Sequence, residues 1–173
     1  MENLPELRLS ALLRRLSEGG VDYVVVGGVA VAAQGYGRAT KDLDITYATD
    51  RANLEALGEV LIAAKARLRG VPEDVPFVPD GHTLRRTQIL TLDTEDGGLD
   101  LLVDPSGAPS YDTMRARADV VELDGILVRV VALDDLLTMK RAAGRAQDLA
   151  DIEALEIARR EVRRQHKRAH RPE

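Results

Sequence analysis

The chain has 173 residues, with 24 Lys and Arg against 29 Asp and Glu, three His and no Cys. That length suits one domain able to bury about two thirds of its unfolded surface, and the lack of cysteine excludes disulfides and thiolate metal sites, while three histidines give no basis for a zinc centre. The opening Met1-Glu2-Asn3-Leu4-Pro5-Glu6 is acidic with no apolar leader, and no window approaches eighteen uninterrupted apolar residues, so a soluble cytoplasmic protein without membrane contact is expected.

Leucines at 7, 9, 12, 13 and 16 recur with a helical period, and Gly19-Gly20 ends that stretch. Residues 21–26 form an apolar run that predicts a buried strand, followed by Gly27-Gly28 and a short helix over 29–34. The next strand, over 42–47, carries Asp42 and Asp44 at i and i+2. Thr49 or Asp50 caps a longer helix through about residue 69, with Leu54, Leu57, Leu61 and Ile62 facing inward. Three prolines make residues 70–82 irregular, a length at which loops often serve function. Strands over 87–92 and 99–103 flank the turn-forming residues 93–98, and strands over 120–123 and 126–131 flank Asp124-Gly125, the pair expected of a type I′ turn. Asp134 and Asp135 open a helix to about 143, Gly144 interrupts it, and a final helix runs from about 146 into the C-terminus. The expected organisation is a core over 1–131, with the helices and basic tail of 132–173 packed on the same domain.

The net charge of −5 hides an asymmetry. Residues 159–173 hold seven Lys or Arg against two acidic residues, leaving seventeen against twenty-seven in the remainder. An acidic body suits divalent cations. The basic tail, Arg159, Arg160, Arg163, Arg164, Lys167, Arg168 and Arg171, reads either as a solvated helix end or as a track for a phosphate backbone, with no aromatics for base stacking.

Side chains on a strand alternate faces, so Asp42 and Asp44 project from the same side, roughly 6.5–7 Å apart along it. At an effective dielectric of about 20 two such charges repel by about 2.5 kcal/mol, and magnesium is the natural counter-ion. Asp100 is a third carboxylate inside the apolar run Leu99-Asp100-Leu101-Leu102-Val103. If its strand neighbours that of Asp42 and Asp44, the three converge on a patch able to hold two magnesium ions roughly 3.5–4 Å apart, which clamp the attacking and leaving oxygens in nucleotidyl transfer. Gly27-Gly28 would leave helix-start N–H groups open to phosphate.

This order of motifs resembles the nucleotidyltransferase superfamily, in which a Gly-Gly or Gly-Ser turn precedes an hDhDh strand and a third acidic strand follows. The closer resemblance is to the AbiEii/MenT group of toxin-like nucleotidyltransferases. It rests on Gly27-Gly28-Val29-Ala30, on Arg38-Ala39-Thr40-Lys41-Asp42-Leu43-Asp44-Ile45, and on the stretch from Met139-Lys140-Arg141 through Asp148-Leu149-Ala150-Asp151-Ile152, spanning roughly residues 20–156. The resemblance implies an α/β (α+β) fold of the polymerase beta-like kind, a mixed sheet backed by helices with a C-terminal helical segment. It also implies magnesium, an NTP substrate and transfer of NMP to an acceptor, which in the best-understood members is the 3′ end of tRNA, with an antitoxin protein as partner. Gly28 departs from the phosphate-binding serine of many relatives outside that group.

Lys140 shares the apolar stripe of Leu133, Leu136 and Leu137, and Asp148 lies near Ile152 and Leu155 on the buried side of the last helix, with Asp151 displaced toward the edge. Lys140 would bind triphosphate and Asp148 would orient or act as an acid, unless Lys140–Asp148 or Arg145–Asp148 is a structural pair. Arg38 and Thr40 either contact phosphate or base, or cap a turn. Arg85 and Arg86 read as surface charges or as contacts to acceptor phosphates, and His82 has no role. The expected catalytic set is therefore Asp42, Asp44, Asp100, Lys140 and Asp148, with Gly27, Gly28, Arg38, Thr40 and Lys140 binding nucleotide and Asp42, Asp44 and Asp100 binding metal. The acidic body keeps open an aminoglycoside-type acceptor, and an inactive nucleotide-binding interaction module is the non-enzymatic alternative.

Overall fold

The computed structural model describes residues 6–72 and 74–169. The chain opens with α1 (Leu9–Glu18), whose Leu12, Leu13 and Leu16 are buried, and enters β1 (Tyr23–Val26), buried along its whole length. Helix α2 (Gly27–Ala33) starts at Gly27 rather than at the expected Val29. Gly27 has φ +63°, a conformation open to glycine, which lets the chain turn directly from strand into helix. Strand β2 (Asp42–Tyr47) follows, then α3 (Arg51–Ala63), capped by the Asp50 carboxylate accepting from the Asn53 N–H.

Residues 64–69, expected to continue that helix, instead turn and form β3 (Arg67–Leu68). Lys65 takes a left-handed φ of +52°, and the edge of the next hairpin supplies the hydrogen bonds, with Arg69 N–H donating to the Thr91 carbonyl at 2.9 Å and Glu95 N–H to that of Ala64 at 3.1 Å. Ile62, expected to face inward, is 68% exposed. It lies about 140° around the helix from Leu57, off the buried stripe. A short α4 (Gly81–Arg86), capped by Asp80, begins at the end of the segment expected to be irregular and runs four residues past it, ahead of the hairpin β4 (Ile89–Thr94) and β5 (Gly97–Leu102). Its tip is a two-residue turn, Glu95-Asp96, tied to α1 by ion pairs from Arg8 and Arg15 to the buried Asp96. Helix α5 (Tyr111–Arg117) was not evident from periodicity. Strands β6 (Asp119–Leu123) and β7 (Ile126–Val130) turn at Asp124-Gly125 with φ of +51° and +79°, as a type I′ turn requires. Helix α6 (Leu133–Ala143) ends at a left-handed Gly144, and α7 (Ala146–Ala169) packs against it. Arg171 of the basic tail lies outside the described residues.

All strands join one mixed sheet in the order β3-β4-β5-β2-β1-β7-β6. Strand β2 runs antiparallel to β1 and parallel to β5. Alternation then sorts the central strands. Leu43, Ile45, Leu90, Leu92, Leu99 and Leu101 are buried on one face, whereas Asp42, Asp44, Thr91, Asp93 and Asp100 share the other. Burying each such apolar side chain contributes roughly 1.5–3 kcal/mol, enough in sum to offset the crowding of acids on the opposite face. Among the described residues no helix is long and apolar enough to cross a membrane.

Candidate active site

The β2–β5 register sets Asp44 directly beside Asp100 and Asp42 beside Gly98. Adjacent strands lie about 4.8 Å apart, so the three expected carboxylates do meet on one patch. Gly27 closes over it from β1, near enough that a methyl there would collide with the Asp44 carboxylate. Gly28 has Thr40 Oγ1 and the Arg38 guanidinium against it. Burial pushes the Asp44 carboxyl above the usual range, the Gly28 N–H pulls it back, and the charge of Asp42 raises it further. The Gly28 amide is thus turned toward Asp44. For Asp100 burial again dominates; the Arg69 guanidinium lowers its pKa, Asp44 and Asp42 raise it, and it settles at about 6.

One Asp100 oxygen, Oδ1, is buried without a hydrogen bond, although Arg69 Nη2 stands 3.3 Å away as a charge contact. As the side chains stand, no three His, Asp or Glu among the described residues form a group closed enough to hold an ion. Arg69 Nη2 stands beside two of these carboxylates, 3.1 Å from Asp42 Oδ1 and 3.3 Å from Asp100 Oδ1. An orphaned buried carboxylate oxygen beside two further hard oxygen donors nevertheless fits a magnesium-type ion, which takes oxygen ligands and keeps part of its water shell.

The wall above the carboxylates is built by α6, α7 and the loop before β2. Lys140 is 6% exposed and its Nζ donates to Asp148 and Asp151, each at 2.9 Å. Arg145 Nε donates to Asp148 at 2.7 Å, so both structural pairs anticipated for this segment are present. Asp151, expected toward the helix edge, is instead fully buried because Arg38 reaches in from the loop and donates to both of its oxygens, at 2.9 and 3.1 Å. For Asp148 burial opposes ionisation, but the hydrogen bonds from Arg145 and Lys140 outweigh it and hold its carboxyl at about 2. Asp148 is an ionised strut. Thr40 Oγ1 donates to the Asp42 carbonyl and fixes the loop entering β2. Arg145, with its side chain 76% exposed, is a cation of this wall open to a ligand.

Two cavities meet at this wall. A polar one of about 440 Å³ spans Gly28, Arg38, Thr40, Asp42 and Asp100, and a more apolar one of about 320 Å³ spans Val26, Ile89, Leu102, Leu136 and Met139; Gly27, Asp44, Lys140, Arg145 and Asp148 line both. A larger hollow of about 540 Å³, lined by Arg51, His82, Arg85 and Arg86, lies elsewhere. Arg85 donates there to the Thr49 carbonyl, beyond the end of β2 opposite Asp42, and Arg86 donates to the His82 ring at 3.1 Å. Arg85 and Arg86 are therefore not brought to the carboxylates.

Arg69, Asp93 and Gly98 also belong to the patch, and sequence reasoning placed none of them there. Arg69 fell in an expected helix and Gly98 in an expected turn. The one local signal was Asp93, which alternates with Thr91 on β4 and so faces the same way as Asp100.

A mixed sheet with paired acids on a central strand, a glycine turn over them and a third acid on the parallel neighbour is the nucleotidyltransferase fold, and known structures agree. The chain is similar over 89% of its length, and over 98% of the other chain, to a lincosamide antibiotic adenylyltransferase solved with lincomycin bound, at TM-score 0.58 and 16% identity. It is similar to the antibiotic-resistance factor ANT(2″)-Ia over 93% of this chain and 92% of that one, at TM-score 0.54 and 14% identity. The structure of ANT(2″)-Ia in complex with adenylyl-2″-tobramycin gives the same TM-score of 0.54, at 16% identity, over 91% and 96% of the two chains. No family profile matches the chain, and no curated protein matches it in sequence.

Proposed function

We propose that the protein is a magnesium-dependent nucleotidyltransferase that moves NMP from an NTP to an acceptor. The observation that carries this reading is the Asp44–Asp100 juxtaposition on the cavity floor beneath Gly27, with Lys140 and Arg145 on its wall. Asp42, Asp44 and Asp100 would hold the ion, which when bound neutralises phosphate charge and lowers the pKa of a coordinated hydroxyl. Arg145 and the Gly27-Gly28 turn meet the triphosphate, while Lys140 and Asp148 keep that wall in place, a positioning role for both. An acceptor hydroxyl gives its proton to the Asp100 carboxylate, its oxygen bonds to the α-phosphorus, and the bond from that phosphorus to the β-phosphate oxygen breaks to release pyrophosphate. Positioning and charge neutralisation carry most of such a reaction.

For the acceptor, the exposed arginines of α7 support a phosphate backbone and so RNA, and the AbiEii/MenT resemblance favours a tRNA 3′ end with a toxin role restrained by an antitoxin protein. A second reading, a small cationic acceptor, is supported by the acidic body and by the near full-length overlap with two antibiotic-modifying enzymes. Incubation with each of four α-labelled NTPs, total RNA and a panel of aminoglycosides and lincosamides tests both. Label in RNA that Asp44→Ala abolishes without unfolding the protein is the expected result, label in a small molecule selects the second reading, and incorporation retained by Asp44→Ala removes the metal site.

A further inference from the structure

Arg69 lies among the acidic strand side chains, its side chain 23% exposed and far less open than that of Arg145. Its Nε donates to Asp93 Oδ1 and its Nη2 to the Leu92 carbonyl, both at 2.8 Å, while the same Nη2 stands 3.1 Å from Asp42 Oδ1 and 3.3 Å from Asp100 Oδ1. Its own N–H donates to Thr91, so backbone and side chain are both pinned to β4. Gly98 makes the arrangement possible, because a methyl at that point of β5 would run into both Asp42 and the guanidinium. Two of the three carboxylates assigned to the ion are thereby already engaged by an internal cation, on a face that also carries Asp44 and Asp93.

We propose that Arg69 is the resident counter-cation of the carboxylate site: it competes with the divalent ion for Asp42 and Asp100, and so keeps the site weak for metal alone and makes loading depend on the nucleotide. This rests on the metal-site reading above. Four acids with no internal cation would bind a divalent ion before any nucleotide arrived. With the guanidinium in place, the added negative charge of the triphosphate is needed to tip the balance, and metal and NTP enter together. Arg69 is a positioning residue, acting on metal and nucleotide through the carboxylates it holds.

The test is Mn²⁺ affinity without nucleotide, read by electron paramagnetic resonance on wild type, Arg69→Gln, Arg69→Lys and Asp44→Ala. A guanidinium a few ångströms from a divalent ion weakens its binding about tenfold even at the dielectric of water, so Arg69→Gln should bind Mn²⁺ at least about tenfold more tightly and show less enhancement by NTP. Arg69→Lys, which keeps the charge, should stay near wild type. Unchanged or weaker Mn²⁺ binding in Arg69→Gln, with lowered thermal stability alone, would mean that Arg69 merely ties β3 to β4 and overturns the proposal. Mn²⁺ binding that Asp44→Ala leaves intact would instead overturn the metal site itself, and the Arg69 role with it. On the wild-type protein, the Arg69 Nε–H resonance should move when Mg²⁺ is added; an unmoved signal at saturating Mg²⁺ also overturns the proposal.

Discussion

Replacing Asp100 with Asn should make the protein more stable at neutral pH while removing its metal-dependent chemistry. Asp100 is 18% exposed, and its carboxyl titrates at about 6 instead of 3.8 because burial and the neighbouring acids outweigh Arg69. A raised carboxyl pKa means that folding favours the protonated form, so the ionised form costs the folded state about 3 kcal/mol at pH 7, an order-of-magnitude figure. Below about pH 4 folded and unfolded chains both hold the proton and the penalty is absent. It grows between about 4 and 6 and is complete above that. Asn is close in shape and carries no charge, so Asp100→Asn should raise Tm by about 6–12 °C at pH 7.5, and the gain should shrink to nothing near pH 4. Thermal unfolding of both proteins from pH 4 to 8 measures this. The order should reverse on adding Mg²⁺ and NTP, which stabilise wild type through binding but leave the variant unmoved. An Asp100→Asn protein less stable than wild type at pH 7.5, or a gain independent of pH, would refute the claim that the acid is held at an electrostatic cost.

Lys140→Met should lower stability by about 3–5 kcal/mol in urea titration, since it leaves the fully buried Asp148 and Asp151 short of the cation that both engage. Arg145→Ala removes a largely exposed guanidinium but leaves the buried Asp148 its bond from Lys140; its stability cost should be about 1–2 kcal/mol, below that of Lys140→Met, while NTP affinity measured by calorimetry falls severalfold. Deleting residues 159–173 should leave NTP binding intact and, if the acceptor is RNA, cut RNA labelling steeply and flatten its salt dependence. Labelling of a small-molecule acceptor would barely change.

The residues that local physics controls were legible in the chain itself. Continuous burial of 23–26, the return to alternation at 42–45 and the glycines between them follow from side-chain period and backbone freedom, and they already place Asp42 and Asp44 on one side. The Asp124-Gly125 turn and the inward face carrying Lys140 and Asp148 were equally local, because a turn type or a helical stripe is specified within a few residues. What joined these parts is long-range. Asp44 meets Asp100 only because β5 is drawn between β4 and β2, 56 residues further along the chain, in a parallel register set by packing Leu43, Ile45, Leu99 and Leu101 into one apolar layer. The same pairing extracted residues 67–69 from an expected helix, since the open edge of β4 satisfies their backbone better than another helical turn, and it delivered Arg69 to the acids. Asp151 was drawn inside by Arg38, 113 residues away in sequence. No period records a contact between segments so far apart; sequence set which groups face the same way, and tertiary pairing decided which charges share a site.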